Sequence, residues 1–360
     1  MGVGARPRPF DEAPFLVLWE LTRACQLACK HCRAEALDRR DPMELSLAEG
    51  LSVLKEIKDM GTSLVVLTGG DPLRHPHAFD LIEAGSRLGL RMTMTPSGTP
   101  LLTPAAVRRM KEAGLSRMAV SLDGPDAAGH DAFRGVPGSF GWTWDAIEAA
   151  HEVDLEVQIN SSLCRQTVGG FEALSDLVGL ARAVLWSVFF VVPVGRAGFA
   201  DELTADEFES LFLKLADLGE KAPFDIKTTA APHYRRHLLQ RSRGRPHSAA
   251  AGDSWRAARG VNDGNGLAFI SHTGDVYPSG FLPLAAGNVR SEGLAWTYRE
   301  SPLFRELRNP DALEGKCGTC LYRKACGGSR ARAYAFTGNP MAEEPCCVYR
   351  PEASERERQW

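Results

Sequence analysis

The chain has 360 residues, of which 44% are hydrophobic, and its formal net charge is −3. This composition predicts an ample core, organised as one large domain with a smaller one or as two medium ones. The nearly balanced charge argues against a nucleic-acid-binding surface, and no apolar run reaches the roughly 18 residues of a membrane span. Nine cysteines, without a secretory signal in residues 1–9, indicate a reducing, cytoplasmic location.

Strand and helix patterns alternate through the first two-thirds of the chain. Ser46 and Glu49 form a capping box that opens a helix, Gly61 can end that helix, and Thr103–Pro104 opens another. The apolar runs that predict strands occupy residues 15–21, 64–67, 92–94, 118–122, 157–159 and 188–192. Such alternation predicts a parallel sheet wrapped by helices, and six units are fewer than the eight that close a TIM barrel. The predicted fold class is therefore α/β, a partial six-unit (β/α) barrel with a small cysteine-rich C-terminal extension.

Changes in composition predict the domain boundaries. Residues 1–14 form an N-terminal tail, 15–225 the partial barrel, 226–300 a connecting region and 301–360 an auxiliary cysteine-rich domain. Within the connecting region, residues 241–266 are rich in Arg, Gly, Ala and Ser and predict a loop or lid. Residues 270–280 predict a hairpin that turns at Thr273-Gly274-Asp275.

Cys25, Cys29 and Cys32 form a C-x3-C-x2-C run directly after the first predicted strand. Thiolates are the usual ligands of iron–sulfur clusters, and four of them complete a four-iron cluster. Three cysteines would leave one iron open to a substrate or cofactor. The alternative is structural zinc, which usually takes four Cys or His ligands; His31 is a candidate fourth ligand, although it is squeezed between Cys29 and Cys32.

This motif resembles that of the radical S-adenosylmethionine (SAM) enzymes. The resemblance implies that the open iron chelates the amino and carboxylate groups of SAM, and that Cys25, Cys29 and Cys32 are catalytic. Reduction of the cluster would cleave SAM to methionine and a 5′-deoxyadenosyl radical, which abstracts hydrogen from the substrate. The resemblance also implies an open partial barrel and an electron donor such as flavodoxin or ferredoxin.

Gly69, Gly70, Asp71 and Pro72 follow the second predicted strand and resemble the family's GGEP motif, with Asp in place of Glu. The resemblance implies that this backbone lines the SAM amino group, where glycine permits a close approach. Gly-Gly and Asp-Pro are also ordinary turn formers, so a simple turn is the alternative.

Four polar side chains follow the later predicted strands, namely Ser97, Ser121, Asp123 and Asn160. In the family, residues at these strand ends contact the ribose and carboxylate of SAM, which implies cofactor binding here. Capping of loops and helix starts is the alternative. His31 matches a position where the family often has an aromatic residue beside the adenine; the alternative is a surface position that flanks the cluster.

Five more cysteines lie near the C-terminus: Cys317, Cys320, Cys326, Cys346 and Cys347. Their spacing alone fits zinc or a four-iron cluster about equally well. Beside the first motif, it resembles the SPASM/twitch extension, which carries auxiliary iron–sulfur clusters. Ser279 stands where many SPASM proteins have cysteine, and the side chains of adjacent Cys346 and Cys347 diverge. We therefore expect one auxiliary 4Fe–4S cluster with only one ligand from that pair, and we expect Cys164 to be a buried structural thiol.

The segment from Gly327 to Ala333 resembles the SPASM branch that modifies tetrapyrrole side chains in haem-type biosynthesis. Guanidinium groups suit the propionate or acetate carboxylates of such substrates. The candidate substrate residues are His233, Tyr234, Arg235, Arg236, Arg330 and Arg332. The alternative is that these arginines are simply solvated.

Two other functions stay open on the sequence alone. The first is maturation of a ribosomally made peptide by a thioether or carbon–carbon crosslink; the short tail of residues 1–14 weighs against a built-in leader-binding domain. The second, more remote, is a non-catalytic protein with two zinc sites. Neither nucleic acid nor a membrane is an expected partner.

Overall fold

The structure is a computed structural model that describes residues 8–242 and 260–351. The six predicted strands are present, and each pairs in parallel with the next along the chain. They are β1 (Leu16–Glu20), β2 (Leu64–Thr68), β3 (Arg91–Met94), β4 (Arg117–Ser121), β5 (Glu156–Leu163) and β6 (Leu185–Phe190). The parallel α/β core predicted from the sequence is thereby confirmed.

Four further strands extend this sheet on both sides. They are β7 (Asp225–Thr229), β8 (Leu267–Ile270), β9 (Asp275–Tyr277) and β10 (Gly287–Asn288). β7 pairs in parallel with β6, β8 pairs in parallel with β1, and β9 and β10 continue antiparallel. Within the described residues the order is β10-β9-β8-β1-β2-β3-β4-β5-β6-β7, and its two ends do not pair, as expected for a partial barrel. The sequence did not predict β7 because most of its residues are polar.

Helices lie between and after the strands, and the two helices with predicted caps begin at those caps. The helices are α1 (Leu47–Met60), α2 (Ala78–Arg87), α3 (Pro104–Glu112), α4 (Ala127–Arg134), α5 (Ser139–Glu152), α6 (Phe171–Leu180), α7 (Ala205–Gly219), α8 (His233–Ser242), α9 (Leu294–Glu300), α10 (Pro302–Leu307), α11 (Gly315–Gly318) and α12 (Arg330–Thr337). The capping box of Ser46 and Glu49 opens α1, and Gly61 ends it with a φ of 79°. Thr103 caps α3 through the amide of Ala106.

The two faces of the sheet differ because successive side chains of a strand point in opposite directions. On one face, Val17, Trp19, Val65 and Leu67 belong to the main hydrophobic core, to which the helices contribute. The other face lines a cavity of about 1500 Å3. Its lining includes Leu16, Leu18, Leu64, Val66, Thr93, Ala119, Ser121, Gln158, Asn160 and Ser162.

The C-terminal region packs beside the carboxyl ends of the strands around a second, smaller core that includes Val192, Leu282, Leu313 and Met341. The predicted hairpin is present as β8 and β9, and its first arm also joins the main sheet. The domain boundaries stay a prediction. Most of the expected lid, residues 243–259, lies outside the described residues. Among the described helices, none is both long and apolar enough to cross a membrane.

Candidate functional site

The first cysteine motif lies in the loop after β1, and all three side chains line the large cavity. The thiols are free rather than disulfide-bonded. The Leu27 amide donates to Cys25 Sγ at 3.3 Å, and the Ala36 amide donates to Cys32 Sγ at 3.5 Å. Such donors favour the thiolate form that iron requires.

Burial works in the opposite direction on Cys25 and Cys29, because it disfavours the charged thiolate. It raises the pKa of Cys25 to about 11 and also raises the pKa of Cys29. A buried thiol of this kind ionises when a metal cation supplies the missing charge. The donor set is three thiols on the cavity wall, two of which accept amide hydrogen bonds, and it therefore fits an iron–sulfur cluster.

Arg134, which the sequence analysis did not single out, lies against the cysteine loop. Its Nη1 is 3.7 Å from Cys29 Sγ, and its guanidinium forms a buried ion pair with Asp123. Burial alone would raise the pKa of Asp123, but the Arg134 charge holds it below its usual range. Asp123 also accepts a hydrogen bond from the Ser162 amide at 2.6 Å. An arginine in the last turn of a helix resembles an ordinary surface charge, so the sequence carried no signal for it.

The loop of Gly69, Gly70, Asp71 and Pro72 packs on the cysteine loop. A Cβ at Gly69 would lie 2.5 Å from the Thr22 carbonyl oxygen, and one at Gly70 would lie 2.5 Å from that of Arg23. The glycines are therefore required by the approach of two backbones. Both also line the cavity.

Asp71 points into the protein rather than toward the cavity. Its carboxylate accepts from the Thr99 hydroxyl at 2.8 Å, the Leu73 amide at 3.2 Å and the Ser97 amide at 3.4 Å. Asp71 also caps the short 3-10 helix that begins at Pro72. Its contribution to the site is to fix the loop.

The other predicted cofactor residues meet at the same end of the sheet. Ser97, Ser121, Asn160 and His31 line the cavity with the three cysteines. Ser97 Oγ donates to the Gly70 carbonyl at 2.7 Å, which ties two of these loops together. The His31 ring stacks on Phe133 with centroids 4.3 Å apart, and burial lowers its pKa to about 4.

The C-terminal cysteines form a second site, which we call the auxiliary pocket. Cys317, Cys320, Cys326 and Cys347 line it together. Backbone amides donate to the sulfurs of Cys317, Cys320 and Cys326 at 3.3, 3.4 and 3.4 Å. In contrast, Cys346 Sγ lies 3.7 Å from a Glu202 carboxylate oxygen, outside the pocket.

Neither cysteine group forms a single-ion site in the structure. Across residues 8–242 and 260–351, no three His, Cys, Asp or Glu side chains are arranged to hold one metal ion. The cysteine sulfurs instead border pockets. The ligand assignments at both groups stay predictions.

The first turn of α8 separates the large cavity from the auxiliary pocket. Tyr234 and Arg235 line the large cavity, whereas His233 and Arg236 line the auxiliary pocket. Four consecutive residues thus serve two sites, a division that the sequence did not predict.

Arg330 and Arg332 are fully buried in α12 and do not line the large cavity. Arg330 Nη1 donates to the carbonyls of Pro340 and Ala342 at 2.9 and 2.7 Å. Arg332 pairs with Glu202 at 2.5 Å and lies 3.5 Å from a Glu344 carboxylate oxygen. Both guanidinium groups are therefore already hydrogen-bonded or ion-paired to other groups of the protein.

Comparison with known proteins assigns the chain to a family. The model described as the radical SAM superfamily matches residues 19–182. The chain is 42% identical to an AdoMet-dependent heme synthase of Nitratidesulfovibrio vulgaris, over 93% of this chain and 92% of the relative. It is 37% identical to another of that name from Methanosarcina barkeri, over 94% and 97%.

A solved structure agrees on the fold. SuiB of Streptococcus suis bound to S-adenosylmethionine superposes with a TM-score of 0.73 at 18% identity, covering 94% of this chain and 78% of SuiB. The recognition based on the cysteine motif is confirmed. The chain therefore belongs to the radical SAM superfamily, whose members use a four-iron cluster and SAM.

Proposed function

We propose that the chain is a haem synthase that acts on a carboxylate-bearing iron porphyrin. The observation that carries the proposal is that one cavity of about 1500 Å3 is lined both by Cys25, Cys29 and Cys32 and by Arg235. Pockets for small ligands are commonly about 300–1000 Å3, so this cavity has room for a porphyrin beside SAM. The relatives named heme synthases match more than nine-tenths of the chain.

In this proposal Cys25, Cys29 and Cys32 hold three irons of a 4Fe–4S cluster. The cluster and SAM, when bound, supply a 5′-deoxyadenosyl radical that takes a hydrogen atom from the substrate. The chain's part is to bind and orient both partners and to exclude water.

The strand-end residues would hold SAM. Ser97, Ser121 and Asn160 offer hydrogen-bonding groups on the cavity wall, and the Arg134 guanidinium suits the SAM carboxylate. The flat His31 ring offers a stacking surface for adenine.

Arg235 would hold a porphyrin carboxylate. Its guanidinium donates to the carbonyls of Ala325 and Val261, and no carboxylate partner lies among the described residues. Burial lowers its pKa. A buried cation without a counter-ion favours an anionic ligand, because the pair restores the charge balance.

The reaction would convert some of the porphyrin propionates to vinyl groups and leave the others intact, because haem carries both kinds of side chain where Fe-coproporphyrin III carries propionates alone. Fe-coproporphyrin III is the product named for a more distant Methanosarcina barkeri relative. After hydrogen abstraction, each propionate that reacts would release carbon dioxide and one electron, which leaves the vinyl group. A flavodoxin or ferredoxin is the class of partner that could donate the initial electron or accept the released one.

We also propose that Cys317, Cys320, Cys326 and Cys347 hold one auxiliary 4Fe–4S cluster. Four thiols complete the ligands of such a cluster. The shared pocket and the three amide–sulfur hydrogen bonds support this set. The diverging Cys346 supports the prediction that only one of the adjacent pair is a ligand.

The test is anaerobic reconstitution followed by incubation with reductant, SAM and Fe-coproporphyrin III. We expect 5′-deoxyadenosine, carbon dioxide and haem, measured by mass spectrometry, and none of them from Cys25→Ala. Formation of 5′-deoxyadenosine from SAM with the porphyrin unchanged would refute the substrate and favour the peptide alternative. Retention of 5′-deoxyadenosine formation by Cys25→Ala would refute the cluster assignment.

Arg235→Met tests the porphyrin site. Loss of a charged hydrogen-bonding partner should raise KM for the porphyrin by about 10- to 100-fold. The control is Arg290→Met, whose guanidinium pairs with Glu49 at 2.6 Å and does not line the cavity. Equal KM values for the two variants would refute the role of Arg235.

A further inference from the structure

His233 is a buried histidine at the start of α8. Both ring nitrogens lack a hydrogen-bond partner among the described residues. A Glu344 carboxylate oxygen lies 4.0 Å from Nδ1, which is beyond hydrogen-bonding distance. An unsatisfied buried donor costs about 1–3 kcal/mol, so a buried group of this kind normally has a partner in the native protein.

Neighbouring rings fix the orientation of His233. The imidazole stacks on Phe208 with centroids 5.2 Å apart and an interplanar angle of 27°. It meets Phe212 edge-on at 4.8 Å. The His233 ring lines the auxiliary pocket together with the four cysteine side chains.

His237, one turn farther along α8, differs from His233 because its ring has a hydrogen-bond partner. Its Nδ1 lies 2.8 Å from a Glu209 carboxylate oxygen, and it does not line the auxiliary pocket. Arg236 also lines that pocket, but its guanidinium pairs with Glu209 as well. His233 is thus a hydrogen-bonding group at this pocket for which the described protein supplies no partner.

We infer that the His233 imidazole donates an N–H···S hydrogen bond to the iron–sulfur cluster held by Cys317, Cys320, Cys326 and Cys347, and thereby raises its reduction potential. The inference rests on the auxiliary cluster proposed above. Hydrogen bonds to cluster sulfurs raise the potential because they stabilise the more negative, reduced state. Pairing with sulfur also removes the cost of the buried, unpaired donor.

The test measures the potential of the auxiliary cluster alone. A Cys25→Ala, Cys29→Ala, Cys32→Ala parent removes the first cluster, so one iron–sulfur signal remains. In an anaerobic redox titration followed by electron paramagnetic resonance, His233→Phe should shift the midpoint to a more negative value with iron content unchanged. His237→Phe, the matched control, should leave the midpoint where the parent has it.

An identical midpoint in His233→Phe and the parent would overturn the inference. Should His233→Phe lose its iron, the triple Cys→Ala parent with His233 intact, labelled with 15N-histidine, decides instead. The reduced auxiliary cluster should then show a weak nitrogen hyperfine coupling, and its absence would overturn the inference. A parent that binds no iron would overturn the auxiliary cluster itself, an outcome distinct from failure of the His233 contact.

Discussion

Glu20, at the end of β1, should be a main electrostatic support of the cysteine loop. The buried carboxylate accepts from Arg33 at 2.8 Å, from His272 at 3.0 Å and from Arg23 at 3.4 Å. Burial would raise its pKa, but the Arg33 charge, hydrogen bonds from His272 and Arg33 and the Arg23 charge lower it from 4.5 to about 2. At about 1.4 kcal/mol per pKa unit, the ionised form contributes about 3 kcal/mol.

Glu20→Gln should therefore lower the free energy of unfolding by about 3 kcal/mol at pH 7, as an upper limit because glutamine keeps some hydrogen bonds. The folded pKa lies below the unfolded value, so this stabilisation is complete above about pH 4.5 and is lost as pH falls toward 2. At pH 3 the difference between the two proteins should shrink to about 1 kcal/mol.

Urea unfolding of the metal-free chain, followed by circular dichroism, measures both values. Glu49→Gln is the control, since Glu49 pairs with Arg290 on the surface, and exposed pairs contribute only about 0–1 kcal/mol. Equal effects of the two substitutions, or a Glu20→Gln effect that persists undiminished at pH 3, would refute the reasoning.

Three further predictions test the two sites. Cys320→Ala should remove about four iron atoms per chain from reconstituted protein. Cys346→Ala should leave the iron content unchanged, because the Cys346 sulfur faces away from the auxiliary pocket. Equal loss of iron in the two variants would contradict the ligand set. Gly70→Ala should cost about 1–3 kcal/mol in urea unfolding, since the added Cβ would lie 2.5 Å from a carbonyl oxygen, and an unchanged midpoint would contradict the packing. Arg134→Gln should weaken SAM binding about tenfold or more in equilibrium dialysis. Asp123→Asn is the control, because it breaks the same ion pair but keeps the guanidinium. Equal weakening of SAM binding in both variants would mean that the ion pair supports the local structure and that Arg134 does not bind SAM.

Local signals allowed much of the fold to be predicted. Each of the strands β1 to β6 overlaps a predicted apolar run, and α1 begins at a capping box, so short stretches of sequence specify both. The first cysteine motif was equally recognisable in the sequence, because its three cysteines lie within eight consecutive residues. The placement of that motif follows from the position of β1 in a parallel sheet.

Features that depend on distant contacts were not predictable in this way. Arg134 became part of the site only because α4 packs on the cysteine loop, where the Ala28 amide donates to the Arg134 carbonyl at 3.1 Å. Cys346 and Cys347 are adjacent, so only the docking of the C-terminal segment decides which sulfur enters the auxiliary pocket. In the first turn of α8, the packing of distant segments likewise decides which residues line the large cavity and which line the auxiliary pocket.

The pairing of β1 with β8 has a consequence for synthesis. Leu16 lies beside Leu267, and Leu18 lies beside Phe269, so a late segment covers the flank of the first strand. During translation that edge of β1 stays unpaired until the last third of the chain leaves the ribosome. Unpaired strand edges promote aggregation. A product truncated before β8 would leave this edge of β1 unpaired and would lack the His272 contact to Glu20.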